Sequence, residues 1–142
     1  MNPRTTKVMA FLVGFATLMV THSFVYGFLL GDYIADKIAS HPEVMHESTP
    51  HVIAAHALQA LLVLWVFAHR GVRTARDGFL TSFVLHLGMF LVFNFLVMGL
   101  FTMFGLGESV MDAGIAALLG GIVGALMGVV LGWSEDKARA SA

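Results

Sequence analysis

Four long stretches without a charged residue divide this chain of 142 residues. They cover residues 8–31, 48–69, 78–107 and 113–134. A helix needs about 20 apolar residues to cross the hydrocarbon core of a bilayer. Each stretch is therefore long enough for one transmembrane helix and too short for two. The sequence predicts an all-α fold, an integral membrane bundle of four transmembrane helices in one domain.

The composition agrees with a membrane protein and excludes several other classes. Charged residues make up 12% of the chain, whereas a typical soluble domain has about 25%. The net charge of −1 provides no basic surface for nucleic acid. The chain has no cysteine, so disulfides, thiolate metal sites and cysteine nucleophiles are excluded. The lipid bilayer is the predicted partner, and nucleic acid is not.

The charged residues between the stretches predict helix ends and orientation. The helices are predicted at roughly 8–31, 49–69, 78–104 and 111–133, with an outer loop at 32–48. Seven of the eight basic residues lie in the N-terminal segment, the loop between the second and third helices, and the C-terminal tail. Since Lys and Arg accumulate in cytoplasmic loops, both termini are predicted inside. Capping boxes are predicted at Thr74 with Asp77 and at Ser109 with Asp112.

Small residues recur at every fourth position of the fourth predicted helix. Residues four apart share one helix face, and small residues let membrane helices approach closely. The pattern predicts close packing of this face against another helix. An internal neighbour is one alternative; a homo-oligomer or another membrane subunit docked through this helix is the other. The residues are Ala116, Gly120, Gly124, Gly128 and Gly132.

Several polar side chains lie inside the predicted spans at similar depths. At about 1.5 Å of rise per residue, His22 and His56 lie about 4–6 Å to the outer side of the midplane. Asn94 lies on the same side, Gln59 is one turn from His56, and His86 lies on the inner half on the face of Asn94. Polar groups in lipid usually face the bundle interior. These five residues form the predicted polar cluster.

The cluster has three interpretations from sequence. The first is hydrogen bonding between helices, which fixes their register. The second is cofactor binding, in which His22 and His56 ligate a b-type haem axially or hold a copper or zinc ion. The third is a proton relay through the same two histidines. Under the first interpretation, the protein needs no cofactor.

The outer loop holds a second candidate metal site. His41, Met45, His46 and His51 lie in or beside it, and imidazole binds copper and zinc while a thioether binds Cu(I). Catalytic signatures such as HExxH, GxSxG and a phosphate-binding loop do not occur in the sequence. No catalytic residue is predicted.

Two landmarks resemble those of small bacterial four-helix membrane proteins of unknown function, the DUF1761-like type. One is Tyr26, Gly31 and Tyr33 at the end of the first helix. The other is Gly-Val-Val-Leu-Gly-Trp at 128–133 in a glycine-rich last helix. The resemblance covers nearly the whole chain and implies a multi-pass protein of the bacterial inner membrane. It implies no activity and no catalytic residues.

The sequence therefore predicts a small non-enzymatic membrane protein that acts as an oligomerising or accessory subunit of a membrane complex. The alternative is a haem-binding or metal-binding membrane protein that serves electron transfer or metal transport.

Overall fold

The computed structural model describes residues 2–42, 48–100 and 105–140, and these ranges are helical apart from short connections. The elements are α1 (Pro3–His22), a π-helical segment (Ser23–Leu29), α2 (Gly31–Ser40), α3 (Thr49–Arg70), α4 (Ala75–Leu100) and α5 (Leu106–Ala140). Four segments are long and apolar enough to cross a membrane: Arg4–Leu29, Thr49–Arg70, Ala75–Leu100 and Leu106–Trp133. This confirms the prediction of an all-α chain with four such helices.

Helix α5 is the centre of the bundle. It packs along α4 on one face and along α1 on another, while α3 packs mainly on α1. Ala116, Val123 and Met127 are fully buried in these contacts. By contrast, Leu118 and Trp133 lie on the outer face of α5 and are about half exposed. This distribution of buried and exposed side chains is expected for a helix that is covered by protein on two sides and by lipid on the third.

The small-residue face of α5 lies against α4 of the same chain. A Cβ atom added at Gly124, Gly128 or Gly132 would lie 2.3–2.4 Å from a backbone carbonyl oxygen, that of Gly78, Thr74 and Arg73 respectively. Real Cβ atoms essentially never come within 3.0 Å of such an atom. The two backbones therefore meet at a distance that only glycine permits.

This face of α5 is filled by the chain's own helix, which is the internal-neighbour alternative. A partner subunit cannot also occupy it. The expectation of a homo-oligomer or another membrane subunit docked through the fourth helix stays a prediction.

The predicted outer segment at 32–48 begins with a helix, because residues 31–40 form α2; the i, i+4 spacing of Asp32 and Asp36 already predicts a helix to about residue 39. Asp32 lies in its first turn and Lys37 in its last turn. This order of charges stabilises a helix through its dipole. Ile34 and Ile38 share one face, so the segment is an amphipathic helix rather than a loop.

Of the two capping predictions, the one at Thr74 is confirmed and the one at Ser109 is wrong. At the start of α4 the Asp77 N–H donates to the Thr74 hydroxyl oxygen at 3.1 Å, and that hydroxyl donates to the Asp77 carboxylate at 2.9 Å, as predicted. The prediction of a start at Ser109 is wrong, because α5 begins at Leu106. Its first turn is closed instead by the Glu108 carboxylate, which accepts the Gly105 N–H at 2.8 Å.

Candidate functional site

A hydrogen-bonded group joins three spans near one end of the bundle. The Asp112 carboxylate accepts the Tyr26 hydroxyl at 2.6 Å and the Asn94 amide at 2.8 Å. The same amide also donates to the Ser109 carbonyl oxygen at 2.9 Å. We call these four residues the Asp112 network. It fixes the register of α4 and of the π-helical segment against α5, since each bond has a specific partner.

Sequence reasoning missed Asp112 and Tyr26 as members of this site. Because charge is costly in lipid, charged residues mark the ends of spans, and this pattern alone predicts Asp112 at the start of a helix and outside the bundle interior. The fourth span, Leu106–Trp133, in fact contains it. The signal was present: Asp112 continues the series of every fourth residue that runs through Ala116 and Gly120, and so belongs to the inward face.

The His22 and His56 rings are in contact about one turn deeper. Their centroids are 4.7 Å apart with an interplanar angle of 86°. The Tyr26 ring stacks on His22 with centroids 5.6 Å apart and an interplanar angle of 20°. Tyr26 therefore connects the histidine pair to Asp112. We call His22 and His56 the histidine pair.

The π-helical segment explains how Tyr26 reaches both neighbours. The segment begins immediately after His22, and its last bond runs from the Leu30 N–H to the Val25 carbonyl oxygen at 2.8 Å. A π-helix has a wider turn than an α-helix, so the side chains that follow His22 point in different directions from those of a continued α-helix. In the same segment Phe24 stacks on Phe28, with centroids 5.6 Å apart.

Three histidines within the spans share one hydrogen-bonding pattern. Each Nδ1 lies 2.7–3.1 Å from the backbone carbonyl oxygen four residues earlier. Because a carbonyl oxygen only accepts, Nδ1 carries the proton. In the neutral ring Nε2 then holds a lone pair, and the Nε2 atoms of all three are buried with no hydrogen-bond partner among the described residues. The three are His22, His56 and His86.

In the structure, the five residues of the predicted polar cluster lie at different depths of the bundle and do not form one group. His22 and His56 meet, as their depths indicated, but Asn94 lies in the Asp112 network, nearer the end of the bundle. His86 is 1% exposed between α4 and α5, where its ring occupies the space that a Cβ at Gly120 would need. Gln59 is half-buried and, within the described part of the chain, is in neither group.

Beyond the Asp112 network, α2 is tied to α5 by charge. The Lys37 ammonium lies 3.0 Å from the Glu108 carboxylate, and the Tyr33 hydroxyl donates to the same carboxylate. Partial burial and the bond to Glu108 raise the pKa of the Tyr33 hydroxyl. The hydrogen bond to Glu108 raises the pKa of the Lys37 ammonium. Each shift shows that the protonated form is favoured in the fold.

The chain matches no protein-family model, no curated protein and no solved structure. What the histidine pair and the Asp112 network do must therefore be argued from their own chemistry.

The histidine pair does not fit a haem in this arrangement. Axial imidazoles on opposite sides of a haem iron, each with its nitrogen about 2 Å from the metal, place their ring centres about 6 Å apart with the macrocycle between them. The rings of His22 and His56 are 4.7 Å apart and touch edge to face. The haem interpretation of these two residues is not supported by their geometry.

The candidate metal site in the outer loop is only partly described. Met45 and His46 lie outside the described residues. The His51 Nδ1 is 2.5 Å from the Ser48 hydroxyl oxygen at the start of α3, so this ring closes a helix end. Within residues 2–42, 48–100 and 105–140, no three or more His, Cys, Asp or Glu side chains are grouped to hold a metal ion. The predicted site of His41, Met45, His46 and His51 therefore stays a prediction.

Proposed function

We propose that this protein is a non-enzymatic membrane subunit that associates with a second copy of itself through α2 and the π-helical segment. It is proposed to lie in the bacterial inner membrane with both termini inside, which the distribution of Lys and Arg favours. The resemblance to DUF1761-like proteins is consistent with this placement and supplies no activity of its own.

The observation that carries the proposal is an open groove of about 460 Å³ along α2 and the end of the first span. Four small residues line it at every fourth position: Gly27, Gly31, Ala35 and Ala39. A Cβ added at Gly27 or Gly31 would meet nothing within 4 Å. The glycine face of α5 is filled by the chain itself, but this second small-residue face is left open.

Attachment of α2 to α5 explains why the groove faces outward. Tyr33 and Lys37 lie on one side of α2 and are held by Glu108. At 3.6 residues per turn, Gly31, Ala35 and their small-residue neighbours lie on the opposite side. The small-residue face is thus directed away from the bundle and is accessible to a partner.

A second copy is the occupant that this face suits best. In a two-fold dimer each surface meets its own copy. Small residues four apart share one helix face, and this flat face lets an identical face approach closely. Such contacts are between backbones and need no charged or hydrogen-bonding partner of different sequence.

Cysteine crosslinking in membranes tests this proposal cleanly, because the chain has no cysteine of its own. Ala35→Cys and Ala39→Cys place thiols on the groove, and a two-fold contact brings each near its copy. We expect both variants to form disulfide-linked dimers on mild oxidation. Leu58→Cys is the control, since Leu58 is 66% exposed on α3, away from the groove.

The variant Gly31→Ile provides a second test of the same proposal. A Cβ at Gly31 meets nothing within 4 Å, so the fold is expected to remain. Crosslinking at Ala39→Cys is expected to fall at least about fivefold, because the bulk separates the two rows. Equal crosslinking of Leu58→Cys and Ala39→Cys, or no effect of Gly31→Ile, would contradict self-association through this groove.

A further inference from the structure

One end of the bundle carries a strong excess of positive charge. Ala10 of α1 and Val72 of the turn between α3 and α4 share one buried cluster, so the start of α1 and this turn lie at the same end. The described residues of that end, 2–10 and 67–78, contain five basic residues and one acidic residue, Asp77. We call it the basic end. Its basic residues are Arg4, Lys7, Arg70, Arg73 and Arg76.

The rest of the chain does not balance these charges. The last part of α5 lies at the same end, since Gly132 packs on the backbone of Arg73. Residues 134–140 add two acidic and two basic residues, so the net charge of the end stays positive. The Asp77 carboxylate accepts the Thr74 hydroxyl at 2.9 Å and caps α4. The basic end therefore attracts an anion from outside the chain.

Two of the basic residues lie at the same level on neighbouring helices. The rings of His22 and His56 touch between α1 and α3. Lys7 lies fifteen residues before His22 on α1. Arg70 lies fourteen residues after His56 on α3. At about 1.5 Å of rise per residue, each is about 21–22 Å from the ring contact. Both side chains are exposed, and neither has an ion-pair partner among the described residues.

The depth of this pair matches that of a phospholipid headgroup. Arg70 is the last residue of the span Thr49–Arg70, and Trp65, one to two turns before it, is 59% exposed. Exposed tryptophan rings near the end of a span are typical of the headgroup level. The turn between α3 and α4 contains only residues 71–74, so the charges extend little beyond the bilayer surface. We infer that the basic end binds an anionic phospholipid, with its phosphate between Lys7 and Arg70.

The net charge of the headgroup decides which lipid is bound. Phosphatidylcholine carries its own cation beside the phosphate, whereas phosphatidylglycerol has a net negative charge. Each Lys or Arg near an anionic membrane surface adds to the attraction. Soluble phosphate offers the same charge, but it has no acyl chains to hold it at this depth. The occupant is therefore a lipid with a negatively charged headgroup.

Native mass spectrometry of the purified full-length protein tests the inference. Phosphatidylglycerol and phosphatidylcholine with the same acyl chains are titrated separately in detergent. We expect the first phosphatidylglycerol molecule to bind at least about fivefold more tightly than phosphatidylcholine, because two cations face its phosphate. Lys7→Gln combined with Arg70→Gln is expected to remove this preference, whereas Lys7→Arg combined with Arg70→Lys is expected to keep it.

Arg4→Gln combined with Arg76→Gln is the matched control. It removes two exposed charges from the same end and leaves Lys7 and Arg70 in place, so most of the preference is expected to remain. Thermal unfolding of each variant in lipid-free detergent checks that the fold is kept, which the exposure of all four side chains favours. The inference is overturned if the wild-type protein binds both lipids equally, if the Lys7 and Arg70 glutamine variant keeps its preference, or if the control loses as much. None of these results bears on self-association, which the crosslinking measures separately.

Discussion

Gly78 of α4 and Gly124 of α5 face each other at backbone contact. A Cβ at Gly78 would lie 2.1 Å from the Gly124 carbonyl oxygen, and a Cβ at Gly124 would lie 2.3 Å from the Gly78 carbonyl oxygen. The relationship is reciprocal, so neither position tolerates a side chain while the other helix stays in place. Because no hydrophobic effect drives helices together in lipid, this close approach is a main source of attraction between α4 and α5.

The first prediction concerns this contact. Gly124→Ala is expected to lower the free energy of unfolding by about 1–3 kcal/mol, because the methyl group forces two backbones apart. Gly114→Ala on the same helix is the control, since a Cβ there meets nothing within 4 Å. It is expected to be neutral or to stabilise by up to about 1 kcal/mol. Equilibrium unfolding in mixed micelles with increasing dodecyl sulfate measures both, and equal effects would contradict the contact.

The second prediction concerns the Asp112 network. A double-mutant cycle of Tyr26→Phe and Asp112→Asn is expected to give a coupling free energy of about 0.5–2 kcal/mol, in the range of hydrogen bonds between membrane helices. The same cycle with Asp32→Asn in place of Asp112→Asn is the control, because Asp32 is exposed on α2. The unfolding assay above measures both cycles. A coupling near zero for Tyr26 with Asp112 would show that the bond contributes nothing to the fold.

The third prediction is a pH dependence at Glu108. The folded protein holds the protons of Tyr33 and Lys37 more tightly than the unfolded chain does, since both pKa values are raised from 10.0 and 10.5. This part of the stability is complete below pH about 10 and is lost as the pH rises through the higher folded values. Glu108→Gln is expected to reduce the loss. Unfolding measured at pH 8 and pH 11 in both proteins tests this, and an identical decline in Glu108→Gln would refute it.

The agreement between sequence and structure depends on the type of physical signal. Charge is so costly in lipid that charge-free stretches located all four spans. The ends were less accurate, because a carboxylate such as Glu108 or Asp112 also suits the first turns of a helix. A charge therefore marks the region of an end and not its residue.

The same uncertainty in helix ends explains why the five residues of the predicted polar cluster do not all lie together. Depth counted from the middle of each stretch put Asn94 level with His22, but α5 begins at Leu106 and presents Asp112 to the Asn94 amide. The π-helical segment had no sequence signal that distinguishes it from an α-helix. Its effect on the position of Tyr26 could therefore only be observed in the structure.

The fourth prediction concerns the fit between His86 and Gly120. A Cβ at Gly120 would lie 2.2 Å from Cγ of the His86 ring. This ring cannot easily turn aside, because its Nδ1 is held 2.8 Å from the Ser82 carbonyl oxygen and the side chain is 1% exposed. Gly120→Ala is therefore expected to destabilise by about 1–3 kcal/mol through overpacking. His86→Ala is expected to destabilise as well, through the cavity that it leaves.

Together the two substitutions are expected to cost less than the sum of their separate effects. In the double variant the new methyl group occupies space that the imidazole has vacated, so each change relieves the defect of the other. A favourable coupling of about 1 kcal/mol or more is expected for residues that share one volume. Replacing His86 in the Gly114→Ala background provides the control, where the effects should add. Additivity in the Gly120 cycle would mean that α4 and α5 shift apart instead of keeping the ring over Gly120.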